Sequence, residues 1–442
     1  MHKSFFIETY GCQMNVADSE LVSGLLMQEG YSQTNNIHNA DAIFVNTCAI
    51  REHAEDKIHS RLGFYHQIKQ KKPEIIIGVL GCMAQNLKED ILESKPYVDI
   101  VLGPDSYRRL PDMIRERSGD SSHLVDTKLS RFEVYDDMFP SRNEGINAWI
   151  SIMRGCDKFC TFCIVPFTRG RERSRSIGRI VNEAKQAVNA GFLEITLLGQ
   201  NVNSYHHEGQ GFHELLDAVA QITGIKRVRY TSPHPQDMTQ EVLDAMAKHN
   251  TICNHVHLPL QAGNDCVLKR MNRTYTQSEF IALAAQIRET LPSVGISTDI
   301  IVGFPGENEA KFLETLDVME AVQFDSAYTF KYSSRPGTKA AEYEDHVTEE
   351  EKQDRLERVI DLQKQHTLCQ NQKRIGQIEM VLVEKESKRS AVQWAGRTDS
   401  NKWVIFDKEN AQIGDLILVK INDAKGITLR GEIVQVQEME AA

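Results

Sequence analysis

Short apolar runs alternate with helical stretches at a spacing of about 35 residues through the first part of the chain. Three of these runs are residues 5–7, 42–45 and 75–80, and helical stretches such as residues 19–29 and 52–71 lie between them. A βαβ unit needs roughly 30 residues or more, and strands buried on both faces of a parallel sheet are continuously apolar. The alternation therefore predicts an α/β fold with a parallel sheet in the N-terminal part.

A cysteine follows each of the three runs, namely Cys12, Cys48 and Cys82. The carboxyl ends of parallel strands lie at the same edge of a sheet, and ligands bind at that edge. We therefore expect these three thiols to meet although they are distant in sequence. The alternative is that each is a small buried residue, because free cysteine is among the most buried residue types.

A second series of βα units follows residues 115–147, which we interpret as a linker with some local structure because Ser, Gly, Asp and Pro weaken the pattern there. Six strand candidates with helices between them predict a partial or full (β/α) barrel. The candidates are residues 148–153, 194–198, 227–230, 255–258, 296–302 and 326–330.

The C-terminal part changes character after a charged, helix-forming stretch at residues 342–372. Short β-type runs separated by turn residues predict a small closed β-barrel there. The runs are residues 379–383, 403–406, 416–421 and 428–436. We therefore predict three domains: an N-terminal parallel-sheet α/β domain over residues 1–125, the partial (β/α) barrel over 142–374, and the small β-barrel over 375–440.

Cys156, Cys160 and Cys163 follow the first strand of the barrel series with the spacing Cys-x3-Cys-x2-Cys. This spacing lets one loop offer a thiolate to each of three irons of a cubane cluster, which leaves the fourth iron open. Structural zinc, the main alternative, takes four ligands that usually come in two pairs. Without a secretion signal, the nine cysteines of the chain favour metal or redox chemistry over disulfides, because cytosolic thiols are kept reduced.

This cysteine loop, with the aromatic Phe162 before its last cysteine, resembles the signature of radical S-adenosylmethionine (SAM) enzymes. In that family the amino and carboxylate groups of SAM chelate the open iron. Reduction of the cluster then cleaves SAM to methionine and a 5′-deoxyadenosyl radical. The resemblance implies that Cys156, Cys160 and Cys163 hold a catalytic 4Fe–4S cluster and that Phe162 belongs to the SAM-binding loop.

The sequences around Cys12, Cys48 and Cys82 resemble the N-terminal domain of the methylthiotransferases, in which three such cysteines hold an auxiliary 4Fe–4S cluster. The tail, with Gly396-Arg397-Thr398 and the Leu-Arg-Gly-Glu run at residues 429–432, resembles the small RNA-binding barrel called TRAM. The resemblance spans the entire chain in the family's domain order. It implies two 4Fe–4S clusters and SAM as cofactors.

Gln13-Met14-Asn15 after the first cysteine resembles the MiaB branch, which modifies tRNA. This implies methylthiolation of carbon 2 of N(6)-dimethylallyladenosine next to the tRNA anticodon, with the sulfur presented at the auxiliary cluster. Two alternatives share the chemistry and act on threonylcarbamoyl-adenosine in tRNA or on a ribosomal-protein aspartate. Alternatives of other classes are a non-catalytic iron–sulfur RNA-binding protein and a zinc-dependent nucleic-acid binder.

Four residues near the ends of predicted barrel strands are further candidates for SAM binding. Gly199 and Gln200 end the second strand, where a SAM-contacting loop is expected and a plain βα turn is the alternative. Gln261 follows the fourth strand, and Asp299 lies in the fifth. An inward-facing acid at Asp299 would hydrogen-bond the ribose or the amino group of SAM.

Residues 154–179 carry seven Lys/Arg against two Asp/Glu, although the chain has a formal net charge of −11. We expect Arg169, Arg171, Arg173 and Arg175 to contact RNA phosphates beside the radical site, whereas a solvated charged face is the alternative. Phosphate contacts position an RNA without reading its sequence.

The remaining predictions concern partners and location. The partners are the anticodon stem-loop of tRNA and an electron donor such as flavodoxin or ferredoxin, and we expect the enzyme to be a cytoplasmic monomer. No run of about 18 apolar residues occurs, so no membrane helix is expected.

Overall fold

A computed structural model describes residues 3–48, 52–119, 122–142, 145–344 and 346–434. The chain divides into two compact units. The first comprises Met1–Phe159, Cys163–Glu183 and Leu197–Gln200, and the second comprises Cys160–Phe162, Ala184–Thr196 and Asn201–Ala442.

The first unit is built mainly from βα repeats. In chain order its elements are β1 (Ser4–Thr9), α1 (Gln13–Gln28), β2 (Ser32–Gln33), β3 (Ala42–Thr47), α2 (Glu52–Lys71), β4 (Ile76–Gly81), α3 (Cys82–Leu87), α4 (Asp90–Ser94), β5 (Ile100–Leu102), α5 (Leu110–Gly119), β6 (Leu124–Asp126), β7 (Asn147–Ser151), β8 (Met153–Arg154), α6 (Val165–Arg169) and β9 (Arg173–Ser174).

Strands β1 to β6 form one sheet in the order β2-β1-β3-β4-β5-β6, and every neighbouring pair is parallel. Each residue of β3 and β4 is buried, because apolar clusters cover both faces of the sheet. The predicted parallel sheet is confirmed. The predicted helix over residues 52–71 has the observed bounds of α2.

The interpretation of residues 115–147 as a linker is wrong in part. Helix α5 continues to Gly119, and β6 adds a sixth strand to the sheet. Beyond β6, Tyr135 and Met138 are buried in the core of this unit. Their apolar side chains are isolated among polar residues, so the sequence pattern does not reveal them.

Two elements, α7 (Ile177–Asn189) and β10 (Glu194–Leu198), have residues in both units. The second unit continues with β11 (His206–His207), β12 (Gln210–Gly211), α8 (Phe212–Ala220), β13 (Arg227–Tyr230), α9 (Gln240–Lys248), β14 (His255–His257), α10 (Asp265–Arg270), α11 (Gln277–Thr290), β15 (Gly295–Val302), α12 (Glu309–Val322), β16 (Ser326–Lys331) and α13 (Glu349–Gln372).

The barrel strands of this unit form where the sequence predicts them. Strand β10 is a neighbour of β13, and β15 pairs in parallel with both β14 and β16. Helix α13 begins later than the charged stretch suggests. Thr348 and Glu351 form a capping box at its start, which satisfies backbone N–H groups of the first turn.

A closed five-stranded barrel ends the described chain. Its strands are β17 (Ile378–Ser387), β18 (Ser390–Thr398), β19 (Trp403–Asp407), β20 (Leu416–Lys425) and β21 (Thr428–Ile433), in the order β17-β18-β19-β21-β20. The small barrel is confirmed, although β18 is absent from the predicted runs. The end of the predicted domain, residues 435–440, lies outside the described residues. Within the described chain, no helix is long and apolar enough to cross a membrane.

Candidate iron–sulfur and cofactor sites

The three dispersed cysteines lie at one edge of the N-terminal sheet. Cys12, Cys48 and Cys82 follow β1, β3 and β4, which are adjacent strands. The approach is close, since a Cβ added at Gly11 would lie 2.6 Å from the Cβ of Cys48. The three residues follow adjacent strands at one edge of the sheet, where the sequence places them. Their role as ligands stays a prediction.

Glycines permit this approach. Gly11 has φ +119° and Gly81 has φ +87°, and each directly precedes a cysteine. A Cβ at Gly81 would lie 2.2 Å from Asn46 Oδ1. Residues with a side chain rarely adopt positive φ, so the Gly-Cys dipeptides meet both a conformational and a spatial requirement.

The surroundings of Cys12 lower the pKa of its thiol. Cys12 is the N-cap of α1, and its pKa is lowered to about 6 by a hydrogen bond with Cys48, with smaller contributions from the positive charge of Arg169 and from backbone N–H groups. Burial opposes this shift. Because the thiolate is the form that binds iron, this environment suits a ligand.

Cys82 is deeply buried, and burial raises the pKa of its thiol. The Arg169 guanidinium acts in the opposite direction and donates from Nε to Cys82 Sγ over 3.2 Å. Three thiols at one sheet edge beside a buried cation fit a cluster that takes one thiolate at each of three irons. Among the described side chains, no group of three or more His, Cys, Asp or Glu is placed to hold a single metal ion.

The compact triad occupies the loop between β8 and α6. In the first unit, the Cys156 N–H donates to the Gly170 carbonyl over 3.2 Å. Gly155 has φ +78°, and a Cβ there would lie 2.1 Å from the Arg171 carbonyl oxygen. Glycine is therefore needed at position 155, because the loop packs closely against the segment that carries Gly170 and Arg171.

In the second unit, Cys160 receives a hydrogen bond from Arg273 Nη1 at 3.4 Å. The same guanidinium donates from Nε to the Tyr275 hydroxyl at 3.0 Å and from Nη2 to the Pro259 carbonyl at 3.1 Å. Sequence reasoning missed Arg273, because 113 residues separate it from Cys160 and no local motif marks it.

Phe162 of the cysteine loop packs edge-to-face with Phe304, with 6.4 Å between the ring centroids. This contact holds the half-buried Phe162 ring against the buried Phe304. The predicted place of Phe162 in a SAM-binding loop stays a prediction.

Two glutamines present amide oxygens without partners. Gln200 follows the buried Gly199 after β10, and its Oε1 is buried with no hydrogen-bond partner among the described residues. In the second unit, Gln261 has φ +66°, and its Oε1 is also buried without a hydrogen-bond partner among the described residues. A buried polar atom without a partner costs about 1–3 kcal/mol, so both positions fit a polar cofactor.

Gln261 and Asp299 are held together by the backbone. The Gln261 N–H donates to the Asp299 carbonyl, and the Ile301 N–H donates to the Gln261 carbonyl, each over 2.8 Å. The Asp299 carboxylate is partly exposed and lies 3.4 Å from His257 Nε2. The two predicted SAM contacts thus lie side by side in the second unit.

The basic stretch differs from the prediction. The side chains of Arg169, Arg173 and Arg175 are buried. Arg169 pairs with Asp18, Arg173 with Asp105, and Arg175 with Asp136 and Glu183. Buried, paired guanidiniums do not face an RNA, which argues against phosphate contacts at these three positions.

Arg171 is exposed and forms an ion pair with Asp157 over 2.6 Å. Its guanidinium lies 5.3 Å from the centre of the Phe159 ring. The predicted RNA contact is therefore retained for Arg171. Asp18, Asp105 and Asp136, which pair with the other three arginines, are distant from them in sequence. The charge pattern therefore does not reveal these ion pairs.

Asn15 and Asn46 lie within the cysteine motifs, and the structure shows which hydrogen bonds their side chains form. Asn15 Oδ1 accepts from Cys12 Sγ at 3.7 Å, and its Nδ2 donates to the Tyr10 carbonyl at 2.9 Å. Asn46 Nδ2 donates to the Asn15 carbonyl and to Ser19 Oγ, each at 3.0 Å. These amides tie the first turns of α1 to the segment that follows β1 and to the end of β3.

Three family models match the chain. The uncharacterized protein family UPF0004 matches residues 4–103, the radical SAM superfamily residues 150–319, and the TRAM domain residues 372–434. Among solved structures, the radical SAM methyltransferase TsrM from Kitasatospora setae is similar, with a TM-score of 0.58 at 14% identity over 77% of each chain. At this identity the likeness shows the fold. The match of residues 150–319 to the radical SAM superfamily, together with this fold, defines a radical SAM enzyme.

Curated relatives narrow the class. A tRNA-2-methylthio-N(6)-dimethylallyladenosine synthase of Parabacteroides distasonis is 49% identical over 98% of this chain and 96% of the relative. The synthase of the same name from Porphyromonas gingivalis is 47% identical over 99% of this chain and 96% of its own length. The chain belongs to the tRNA-2-methylthio-N(6)-dimethylallyladenosine synthase family.

Proposed function

We propose that the enzyme replaces the hydrogen on carbon 2 of N(6)-dimethylallyladenosine, next to the tRNA anticodon, with a methylthio group. Membership of a family of near-full-length relatives with this activity supports the proposal. The observation that carries it is the placement of Cys12, Cys48 and Cys82 directly after three adjacent strands. A radical SAM enzyme that only cleaves SAM has no need of a second three-thiol site.

Each cysteine triad has its own proposed role. Cys156, Cys160 and Cys163 hold the cluster that binds SAM, and Cys12, Cys48 and Cys82 hold the auxiliary cluster. When bound, these groups supply a carbon radical and a sulfur atom, which acid–base chemistry does not provide. The protein orients them through the Gly-Cys turns and through arginine N–H groups that donate to Cys82 and Cys160.

The proposed SAM contacts are Phe162, Gly199, Gln200, Gln261 and Asp299. The two glutamines have free buried oxygens that accept hydrogen bonds from an ammonium or a hydroxyl group. The Asp299 carboxylate accepts from the same kinds of group. A SAM-binding isotherm for Gln261→Leu, with the exposed Gln210→Leu as control, tests this set. We expect at least tenfold weaker SAM binding in the first variant.

We propose that the TRAM barrel and Arg171 contact the tRNA. The anticodon loop is single-stranded, which lets the target base leave its stack and reach the site. We propose domain limits of residues 1–125, 142–374 and 375–440. We further propose that an electron donor such as flavodoxin or ferredoxin reduces the clusters. The enzyme is proposed to be a monomer in the cytoplasm.

Anaerobic reconstitution tests the proposal. Two cubanes predict roughly eight iron and eight sulfide per chain. With SAM, a reductant and tRNA, the product nucleoside should carry the methylthio group when the tRNA has the dimethylallyl group. Equal turnover of tRNA without this group would contradict the substrate assignment. The absence of 5′-deoxyadenosine would instead favour a non-catalytic iron–sulfur RNA-binding protein.

Replacing the triads separately tests their roles. C12A/C48A/C82A should still release 5′-deoxyadenosine but form no methylthio product, and C156A/C160A/C163A should release none. Equal SAM cleavage in the two triple variants would contradict this assignment.

A further inference from the structure

Arg169 is buried against the auxiliary triad. Its side chain is 4% exposed, and Nε donates to Cys82 Sγ over 3.2 Å. Its Nη2 donates to Asp18 Oδ2 at 2.9 Å and lies 3.3 Å from Asn15 Oδ1. The guanidinium therefore touches one proposed ligand directly and, through Asn15, the segment that carries Cys12.

Asp18 fixes the guanidinium in place. Its carboxylate is fully buried and accepts from Arg154, from Arg169 and from the Tyr107 hydroxyl. One carboxylate faces two buried guanidiniums, so this group carries an excess of positive charge. Buried charges need compensation, and the adjacent thiols are where negative charge would provide it.

One donor of Arg169 is free. Nη1 is buried and has no hydrogen-bond partner among the described residues. A buried charged donor without a partner is costly, whereas Nε and Nη2 of the same group are used. The free Nη1 beside a three-thiol site is therefore suited to an anion that binds there.

We propose that Arg169 is a positioning residue of the auxiliary cluster. It donates through Nε to the sulfur of Cys82, and through Nη1 it binds the anionic sulfur species, sulfide or methylthiolate, held at the same site. This inference rests on the proposed function, because it assigns a residue to the cluster that Cys12, Cys48 and Cys82 would hold.

The test compares R169Q and R169K in a C156A/C160A/C163A background of the full-length chain, which retains the auxiliary site alone. The first readout is the midpoint potential of the cluster, from a redox titration followed by electron paramagnetic resonance. The second readout is the methanethiolate concentration at which the change in the electron paramagnetic resonance signal of the cluster is half complete. R154K is the matched control, because Arg154 is buried on the same carboxylate and contacts the Tyr135 ring and the Pro104 carbonyl.

We expect R169Q to disfavour reduction at least tenfold, a shift of 59 mV to more negative potential for one electron. Reduction adds negative charge to the cluster, and a positively charged donor at a cluster sulfur stabilises that charge. Loss of the donor therefore shifts the midpoint potential to a more negative value. Methanethiolate binding should weaken at least tenfold. R169K should lie between R169Q and the background protein, and R154K should stay within threefold of the background in both readouts.

Equal potentials and equal methanethiolate binding in R169Q and the background protein would overturn the proposal. So would an R154K shift as large as that of R169Q, because it would assign the effect to the Asp18 group as a whole. If R169Q does not fold, R169K carries the same comparison. A background protein without iron and sulfide would contradict the proposed function itself and is recognised before any variant is compared.

Discussion

At the scale of single residues, the glycines before the cysteines are as demanding as the cysteines themselves. Gly11→Ala places a Cβ within 2.6 Å of the Cys48 Cβ at a backbone with φ +119°. The strand ends must then move apart, and the auxiliary site loses its geometry. Iron per chain should fall from roughly eight to roughly four, measured after anaerobic reconstitution.

Gly30→Ala is the matched control for this prediction. Gly30 has φ +84° in the same unit, but nothing lies within 4 Å of an added Cβ. Its variant tests the backbone cost alone, which is about 1–2 kcal/mol. Iron near eight per chain in Gly11→Ala would show that the close approach is not required.

Glu20 supplies a pH-dependent contribution to stability. Burial raises its pKa from 4.5 to about 7, and Arg142 offsets the shift in part. The folded state thus binds a proton more tightly than the unfolded state. The free energy of unfolding should fall by about 2–3 kcal/mol as pH rises from 4.5 to 7.

Glu20→Gln should remove this part of the pH dependence, measured by urea unfolding of the full chain at several pH values. The exposed Glu89→Gln serves as the control and should leave the slope unchanged. A Glu20→Gln slope equal to that of the parent would contradict the assignment.

At the scale of elements, the C-terminal barrel is anchored by arginines of β13. Arg229 donates to the carbonyls of Thr398 and Asp399, at 2.8 and 3.1 Å, and pairs with Glu194 at 2.9 Å. Arg227 donates to the carbonyls of Arg397 and Met380. These hydrogen bonds connect β13 of the (β/α) series to the C-terminal TRAM barrel, and both lie in the second unit.

Arg229→Met should destabilise this unit by about 3–5 kcal/mol, because it breaks the buried ion pair with Glu194 and removes the side-chain donor to the Asp399 carbonyl. Amide hydrogen exchange in β17 and β18 should speed up. Arg389→Met, on the exposed turn between those strands, should leave exchange unchanged. Equal exchange in both variants would show that Arg229 does not anchor the barrel.

Elements with strong periodicity were predictable from sequence, and contacts between distant residues were not. The observed bounds of α2 and β10 match those expected, since both have clear apolar patterns. Strand β18 was missed because its sequence alternates small, polar and apolar residues without a clear run. The basic stretch was misassigned for a different reason. The acids that neutralise Arg169, Arg173 and Arg175 come from other elements.

At the scale of the whole molecule, the proposed mechanism assigns the chemistry to two sites, one for each cysteine triad. The dispersed triad depends on sheet order, because β1, β3 and β4 must be neighbours for its thiols to meet. The compact triad depends on one loop. The sequence identified both sets, but not the arginines that donate to Cys82 and Cys160.

The most direct test of this account uses tRNA that carries dimethylallyladenosine with deuterium at carbon 2. The reconstituted enzyme with SAM and a reductant should transfer that deuterium to 5′-deoxyadenosine and form the methylthio nucleoside, both measured by mass spectrometry. Product formation with no deuterium in 5′-deoxyadenosine would contradict hydrogen abstraction at carbon 2. SAM cleavage without any methylthio product would contradict the assignment of the auxiliary site.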